Sequence, residues 1–482
     1  MPIDVDDQSA AVAEMATRWP MIEALVGGTS AMRAAGKAFL PQFPSEPDDA
    51  YKARLNTTTL FPAYSRTTEV LAAKPMAKAM AFDGIPPAVE TYLDDADGEG
   101  STIQAFANGL MLAVLQYGIV GVLVDYPPVS DVLTKADDEA TGARPYFARY
   151  DAKAILGWRI EGKRLTQLRL LESITEPDGD FGEVCVRQVR VLTPGAWQVW
   201  RAVTDITGKE SWAVYQEGTT TLDVVPFVFF YGIREGFGIG RPPLTDLAYL
   251  NIEHWQSASD QQTILHTARV PILFIKGLND TDQISIGAST AIKTTSEAAD
   301  VRFVEHSGAA IAAGRQSLLD LEDRMRQTGA ELLVQYSVSV TATQSVGEGE
   351  ASRSILERIV EVFEESLEEA IELMGAWVGL TFEAEVEMFK DFGAMNLSDQ
   401  SSAILMNAGD KGYVAPETVF KGLQRRDIVP PDVTWEDQQA ALAAAAKAKA
   451  TEQAQQSAAA HARALELATA KAPSHADITT YA

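Results

Sequence analysis

Residues 242–277 read PPLTDLAYLNIEHWQSASDQQTILHTARVPILFIKG, and they decide how the middle of the chain folds. Thr245 is placed to cap a helix that runs to about Ala268, which would be roughly 36 Å long at the helical rise. The middle of this helix, QSASDQQT, is polar on all sides, which is typical of a helix that lies between neighbours with one side in water. The apolar run VPILFI that follows predicts a strand.

The chain downstream of this strand predicts a small insert and a return helix. We predict a second strand at 301–304, a closing segment GAAIAAG at 308–314, and a second long helix from Arg315 to Val334. Two long helices flanking a compact insert would form a stalk that carries a knob. The segment 335–352 is polar, β-branched and glycine-containing, so we predict a surface loop there.

A third long helix is predicted from about Glu350 to Val378, with an apolar stripe at helical spacing. Its opposite side is acidic, and because no basic helix is in register nearby, we expect a solvated surface. The glutamates of this acidic face are Glu357, Glu361, Glu364, Glu365, Glu368, Glu369 and Glu372. FEAEVEM at 382–388 alternates as a strand, and the Ala-rich segment 436–470 predicts either a frayed tail or a helix ordered by an oligomer.

The N-terminal half divides into helices and a β region. The apolar run GLMLAVLQYGIVGVLV at 109–124 is shorter than the roughly 20 residues of a membrane span, so we predict a buried helix, capped by Ser101, and a buried strand. Between 145 and 230, short Val- and aromatic-rich runs separated by glycine turns predict a small antiparallel β region, with Cys185 in the core. GFGIGRPPLTD at 236–246 lacks the dinucleotide fingerprint and predicts a flexible connector.

The composition excludes several classes of function. The chain has 482 residues, 40 Lys plus Arg, 67 Asp plus Glu, and a net charge of −27. This length predicts two or more lobes, and the acidic balance disfavours a protein that clamps nucleic acid while permitting one past which nucleic acid slides. A single cysteine permits no internal disulfide, which is typical of a protein made in a reducing cytoplasm. The acidic start MPIDVDDQSA is unlike a signal or transit peptide.

No motif predicts catalysis. The five histidines have no metal-ligand spacing, and neither a nucleophile elbow nor a phosphate-binding loop occurs in the sequence. We therefore expect no enzyme, no metal and no cofactor. An enzyme with an unrecognised site is the most remote alternative.

Five stretches, in this order, resemble the portal (head-to-tail connector) proteins of tailed bacteriophages. None is a catalytic motif, and the specificity lies in their agreement in order across most of residues 50–360. They are YKARLNTTTLFPAYSRTTEVLAAKP (51–75), LQYGIVGVLVDYPP (115–128), RPYFARYDAKAILGWR (144–159), PPLTDLAYLNIEHWQSASDQQTILHTARVPILFIKG (242–277) and GEASRSILERI (349–359).

The resemblance implies an α+β, mainly helical portal fold, assembled as a ring of about twelve subunits around a central channel. Residues 1–243 and 353–395 would form the wing, 244–268 and 315–335 the two stem helices, and 269–314 the clip. Residues 336–352 would form the tunnel loop, and 396–482 the crown with its Ala-rich tail.

The resemblance also implies the function and the partners. Double-stranded DNA would be packaged and ejected through the ring at one capsid vertex, and the ring would dock the large terminase subunit and tail adaptor proteins. Major capsid and scaffolding proteins would be further partners, with no membrane involved. The protein would reside in the virion, and in the host cytoplasm during assembly. The alternative is another viral ring, adaptor or scaffold protein without a role in DNA translocation.

Three sets of candidate residues follow from the resemblance. The uncharged tunnel-loop residues could touch DNA without holding it; they are Val338, Val340, Thr341, Thr343 and Gln344. Weak phosphate contacts are expected from Arg315, Arg324 and Arg326 on the second stem helix, but salt bridges between subunits to Asp320, Glu322 and Asp323 explain these arginines equally well. The clip would meet its partners through Lys276, Lys293 and Arg302.

Overall fold

The computed structural model describes the chain in segments, which are 4–127, 143–204, 210–268, 272–277, 298, 300–304, 309–333, 354–390, 392, 411, 415–424, 429 and 433–470. The chain divides into two compact units, Met1–Lys390 and Asp391–Ala482. The first unit mixes helices with antiparallel sheets, so the expected α+β class is correct.

Helices of the first unit are α1 Ala10–Ala16, α2 Trp19–Val26, α3 Gly28–Ala35, α4 Asp48–Thr57, α5 Ala63–Ala73, α6 Pro87–Glu90, α7 Ile103–Tyr117, α8 Thr245–Ala268, α9 Ala309–Ala330 and α10 Ile355–Trp377. Its strands are β1 Ala81–Asp83, β2 Ile119–Asp125, β3 Tyr146–Asp151, β4 Ile155–Glu161, β5 Arg164–Asp178, β6 Gly182–Thr193, β7 Ala196–Thr204, β8 Glu210–Thr219, β9 Phe227–Tyr231, β10 Ile233–Gly236, β11 Ile239–Arg241, β12 Ile272–Lys276, β13 Asp300–Val304 and β14 Glu385–Glu387.

The predicted buried helix and buried strand are confirmed as α7 and β2, and β2 is the central strand of the sheet β3-β2-β9. The predicted cap is wrong by one residue, because the side chain of Thr102, not Ser101, accepts the N–H of Ala105. Gly118 joins the two elements with a φ of 84°. A Cβ at this position would lie 2.5 Å from the main-chain carbon of Arg241, so only glycine fits without strain.

The predicted β region is confirmed as a five-stranded antiparallel meander, β4 to β8. The turns at Asp178-Gly179 and Pro194-Gly195 place glycine at φ values of 71° and 76°. The interpretation of Cys185 as a core residue is wrong, since its side chain is exposed. The alternating pattern around it is real, but this part of the β5–β6 hairpin extends past the packed body, and residues 182–185 are all exposed.

The glycine-rich segment after β9 is not a flexible connector. Strands β10 and β11 pair as a short hairpin, and a Cβ on Gly240 would lie 2.2 Å from the carbonyl oxygen of Gly118. Phe237 and Ile239 pack against the buried cluster that α1 shares with β2, β5 and β9. Glycine is therefore needed at position 240 because two backbone segments approach each other closely there. Sequence spacing alone does not distinguish a glycine of this kind from one in a flexible connector.

The acidic side of α10 is only partly solvated, so the expectation of a solvated face is wrong for four of its glutamates, and one of these, Glu357, is buried in the capping box at the start of the helix. Glu368 accepts the main-chain N–H of Val386 at 2.9 Å, and Glu372 accepts that of Ala384 at 3.2 Å. Glu364 is buried and acts in the same way further along the strand. These carboxylates line one edge of β14, whose other edge pairs with β1. The helix starts at Ile355 behind a Ser354–Glu357 capping box.

The second unit contains α11, Pro416–Gln424, and α12, Trp435–Ala470. The rings of Phe420 and Trp435 lie 5.4 Å apart, and the side chain of Gln424 donates to the carbonyl of Val433 at 2.7 Å. Leu442 of α12 is 57% exposed. The helix predicted for the Ala-rich segment is confirmed, while its ordering by an oligomer stays a prediction.

Candidate functional site

Helices α8 and α9 form an antiparallel pair, and β12 and β13, which pair with each other, lie between them in the chain. The side chain of Gln261 on α8 donates to the carbonyl of Ile311 on α9 at 2.9 Å. Further along, Glu253 of α8 faces Arg324 of α9, and His254 faces Glu322. The predicted helix–insert–helix order is therefore present.

The second helix starts earlier than predicted. It begins at Ala309 instead of Arg315, so residues 309–314 of the segment GAAIAAG are helical and do not close the insert, while Gly308 lies outside the described residues. Alanine has the highest helix propensity, which explains why this segment continues the helix. Gly314 lies against the side chain of Gln261 on α8, because a Cβ at this position would overlap the Gln261 side-chain oxygen.

The polar middle of α8 is mostly directed at the protein's own body. Asn251, Ser259 and Gln261 are buried, and the side chain of Gln256 donates to the carbonyl of Phe39 at 3.0 Å. The expected wet side exists as well, with Tyr249 60% exposed. The polar residues that suggested a helix between neighbours thus largely serve to hold α8 on the N-terminal helices.

A buried ion pair fixes this attachment. Arg54 of α4 is 5% exposed, and its Nε and Nη2 lie 2.8 Å from the two carboxylate oxygens of Glu46. Its guanidinium stacks on the Phe43 ring at 4.4 Å, and its Nη1 reaches Ser259 of α8 at 3.5 Å. The hydrogen bond from Arg54 holds the pKa of Glu46 below its usual range. No sequence signal marked this pair.

His254 is a further buried polar residue of α8, and it is 6% exposed. Its Nε2 lies 3.6 Å from the carboxylate of Glu322, and its ring is 5.2 Å from that of Phe61. Burial lowers the pKa of the imidazole, and the nearby Glu322 opposes this shift only in part. The pair therefore links α8 to α9 with a histidine that burial favours in its neutral form.

The three candidate arginines all lie exposed on α9. Arg324 is 3.5 Å from Glu253 of α8, and Arg326 pairs with Asp323 and Glu322 of its own helix. Arg315 forms no ion pair with any residue in the described part of the chain. Exposed pairs of this kind contribute little stability, so the two paired guanidinium groups can exchange partners readily.

Two of the three clip candidates, Lys276 and Arg302, lie on the antiparallel strand pair β12–β13, which is called the β12–β13 hairpin below. Lys276 ends β12 opposite Asp300, and Arg302 lies opposite Phe274 in the register. The Arg302 guanidinium covers the Phe274 ring at 5.3 Å and is 3.6 Å from Asp300. Lys276 and Arg302 are both exposed.

The other predicted site residues lie outside the described residues. They are Lys293 and the tunnel-loop residues Val338, Val340, Thr341, Thr343 and Gln344. Within the described segments, no three His, Cys, Asp or Glu side chains are grouped as metal ligands require, and no helix is long and apolar enough to cross a membrane.

Residues 243–378 match a family described as "Domain of unknown function (DUF4055)", and this match spans α8, the β12–β13 hairpin, α9 and α10. No curated protein matches the chain.

Several solved structures are similar to the chain. A chain of "Virion of native gene transfer agent (GTA) particle" is 11% identical with a TM-score of 0.38, covering 80% of this chain and 96% of that one. A chain of "Neck of empty GTA particle computed with C6 symmetry" is 11% identical with a TM-score of 0.36, covering 74% of this chain and 88% of that one. A chain of "Neck of native GTA particle computed with C12 symmetry" is 10% identical with a TM-score of 0.37, covering 77% of this chain and 91% of that one. Likenesses at this level establish neither a common family nor a common function.

Proposed function

We propose that the chain is the subunit of a phage-type portal ring through which double-stranded DNA is packaged and ejected. The observation that carries the proposal is the antiparallel pair α8 and α9 with its small β hairpin, in the chain order that the resemblance implies for a stem and a clip. The family match covers the same segment but assigns no activity to it.

The charge distribution supports passage of DNA over tight binding. The net charge is −27, and the exposed arginines Arg324 and Arg326 each face carboxylates already. A phosphate would have to displace those carboxylates, so each interaction with DNA would be weak and quickly replaced. A channel for translocation needs interactions of this kind.

In this proposal the β12–β13 hairpin meets the large terminase subunit and later the tail adaptors, with Lys276 and Arg302 as contacts. The wing and crown would meet capsid and scaffolding proteins, and the loop at 336–352 would line the narrowest part of the channel. About twelve copies would form the ring in the virion, after assembly in the host cytoplasm. The ATPase would be a separate chain, so this subunit needs no catalytic site or cofactor.

Electron micrographs of the purified full chain test the proposal. We expect rings of about twelve-fold symmetry with a central hole. A chain that stays monomeric under every assembly condition would overturn the proposal.

A terminase pull-down separates a portal from another viral ring. The double variant Lys276→Ala with Arg302→Ala should bind the large terminase subunit at least about fivefold more weakly, while Lys52→Ala with Arg66→Ala, which removes two other exposed cations, should bind normally. Equal binding by both variants would contradict the assignment of the hairpin as clip.

A further inference from the structure

The tip of the β5–β6 hairpin carries an aromatic side chain in full contact with water. Phe181 is 101% exposed, and the neighbouring Val184 is 44% exposed. The acidic residues Asp178, Asp180 and Glu183 surround it in the sequence of the tip. One exposed apolar side chain is common on a protein surface, but at the end of a hairpin this one is accessible to a cavity on another molecule.

A cavity that suits this tip lies at the other end of the same strand. Its volume is about 320 Å³, and its surface is polar and apolar in about equal parts; the apolar lining residues include Leu165, Val225, Val228, Phe237 and Leu373. The cations Lys163, Arg164 and Arg234 also line it, together with Ser366 and one carboxylate, that of Glu369.

The charges at the cavity are unevenly neutralised. Arg164 pairs with Asp223, and Arg234 stacks on Tyr231 at 4.9 Å with Glu369 nearby. Lys163 forms no ion pair with a residue in the segments that the structure describes. The opening therefore has a positive excess, which complements the acidic tip.

The tip and the cavity of one chain cannot meet. Strand β5 runs from Arg164, at the cavity, to Asp178, at the tip. At about 3.3 Å per residue, the two ends of this strand are roughly 45 Å apart. When a protein carries a surface at one end of a rigid element and the complementary surface at the other end, copies of the protein can join head to tail.

We propose that Phe181 of one copy inserts into this cavity of the next copy, with the tip carboxylates facing Lys163 and Arg234. A phenylalanine side chain buries roughly 150–250 Å² of surface when it docks, so it would anchor the contact. The contact is heterologous and gives a closed ring if the rotation between copies closes, or an open chain if it does not. This contact deepens the proposed function. The contact itself does not depend on the portal proposal, but its closure into a ring does.

Covalent trapping tests this contact directly. Cys185, the one cysteine of the chain, is first replaced by serine, and Phe181→Cys and Leu373→Cys are then introduced into the full chain. Mild oxidation should give a ladder of multimers on a non-reducing gel, and reductant should remove it. Mixing chains that carry one cysteine each should give dimers only. A control with Val70→Cys in place of Leu373→Cys, at a 60% exposed site on α5, should give no ladder.

Charge and size variants provide a second measurement by sedimentation. Phe181→Asp should weaken association at least about tenfold, while Val70→Asp should not. Asp180→Lys should also weaken it, and adding Arg234→Glu should restore it, because the pair is then reversed. Circular dichroism confirms that each variant remains folded.

The outcomes separate this contact from the proposed ring. A ladder without closed rings supports the contact and contradicts the portal ring. Rings that form without a ladder, and that Phe181→Asp leaves intact, overturn the contact and leave the ring proposal standing. A tip that captures another protein while self-association is unchanged also overturns it. Wild-type chains that never associate overturn both.

Discussion

The carboxylate of Glu364 accepts the main-chain N–H of Met388 at 2.7 Å and the Nζ of Lys390 at 2.8 Å. It is the first of three glutamates that occur every fourth residue of α10, and together they accept the N–H groups of residues 384, 386 and 388, in and beside β14. Four helical residues rise about 6 Å and two strand residues about 6.7 Å, so the two repeats stay nearly in step. The acidic face therefore completes the free edge of a strand.

Removing this carboxylate should destabilise the first unit. Glu364→Ala leaves a buried N–H and an unpaired lysine, so we expect the free energy of unfolding to fall by about 2–3 kcal/mol. Glu364→Gln keeps an acceptor for Met388 and should cost about 1 kcal/mol. Denaturant titrations followed by circular dichroism measure both. The exposed neighbour Glu365→Ala is the control, and a loss there equal to that of Glu364→Ala would contradict the role of the ladder.

Sequence patterns predicted the elements here but not their partners. Alternation and glycine turns are local signals, so the meander β4–β8 and the pair α7–β2 could be predicted. The acidic face of α10 was misjudged because its partner, β14, becomes an edge beside it only through pairing with β1. Cys185 was misplaced for a related reason, since alternation shows which face a residue occupies but not where the body beneath it ends.

The candidate site shows the same division. The polar composition of α8 predicted a long helix with a wet side, which it has. It did not predict that Ser259 and Gln261 face inward, because their partners, Arg54 and Ile311, are remote in sequence. The paired state of Arg324 with Glu253 likewise depends on how α8 and α9 pack.

Gly118 should tolerate no side chain. Both Gly118 and Gly162 have positive φ, at 84° and 64°, but only Gly118 has backbone atoms where a Cβ would be. We expect Gly162→Ala to cost about 1 kcal/mol, from the backbone conformation alone, and Gly118→Ala about 3 kcal/mol or more. Thermal and urea unfolding of the two variants provides the comparison. Equal losses would mean that β11 moves away without cost.

The buried ion pair should be essential for holding α8 on the N-terminal helices. Arg54→Ala leaves the Glu46 carboxylate without its bidentate partner, and we expect a loss of about 3–5 kcal/mol in unfolding free energy. Lys52, which is exposed on the same helix, provides the control, and Lys52→Ala should change stability by less than about 0.5 kcal/mol. If Arg54→Ala were as mild as Lys52→Ala, solvent would have to reach the pair.

Stability should depend on pH through His254. Its pKa is lowered in the folded chain, so between that value and the ordinary 6.5 the unfolded chain binds the proton and the folded chain does not. The stabilisation is therefore complete above about pH 6.5 and is lost as the pH falls towards the folded pKa. Unfolding from about pH 7.5 to about pH 5.5 should show wild type losing stability relative to His254→Gln. A constant difference between the two would contradict this.

The exposed arginines of α9 leave two interpretations, and one triple variant distinguishes them. If Arg315, Arg324 and Arg326 bind phosphates, replacing all three by glutamine should leave rings intact and reduce the salt dependence of DNA binding. The log–log slope should then fall by about 0.9 for each phosphate that the variant no longer neutralises. If the arginines bridge subunits instead, rings of the variant should dissociate at lower salt, with no change in the slope for rings that remain.

Electron micrographs across a salt series measure ring dissociation. Fluorescence anisotropy with duplex DNA, across the same salt series, measures the salt dependence of DNA binding. The control variant replaces Lys52, Arg66 and Lys447 by glutamine, so it removes the same charge at exposed positions elsewhere in the chain. Because long-range electrostatics depends on the total charge, a pure charge effect would appear equally in both variants. An identical response from the control would therefore assign the effect to net charge and reject both interpretations.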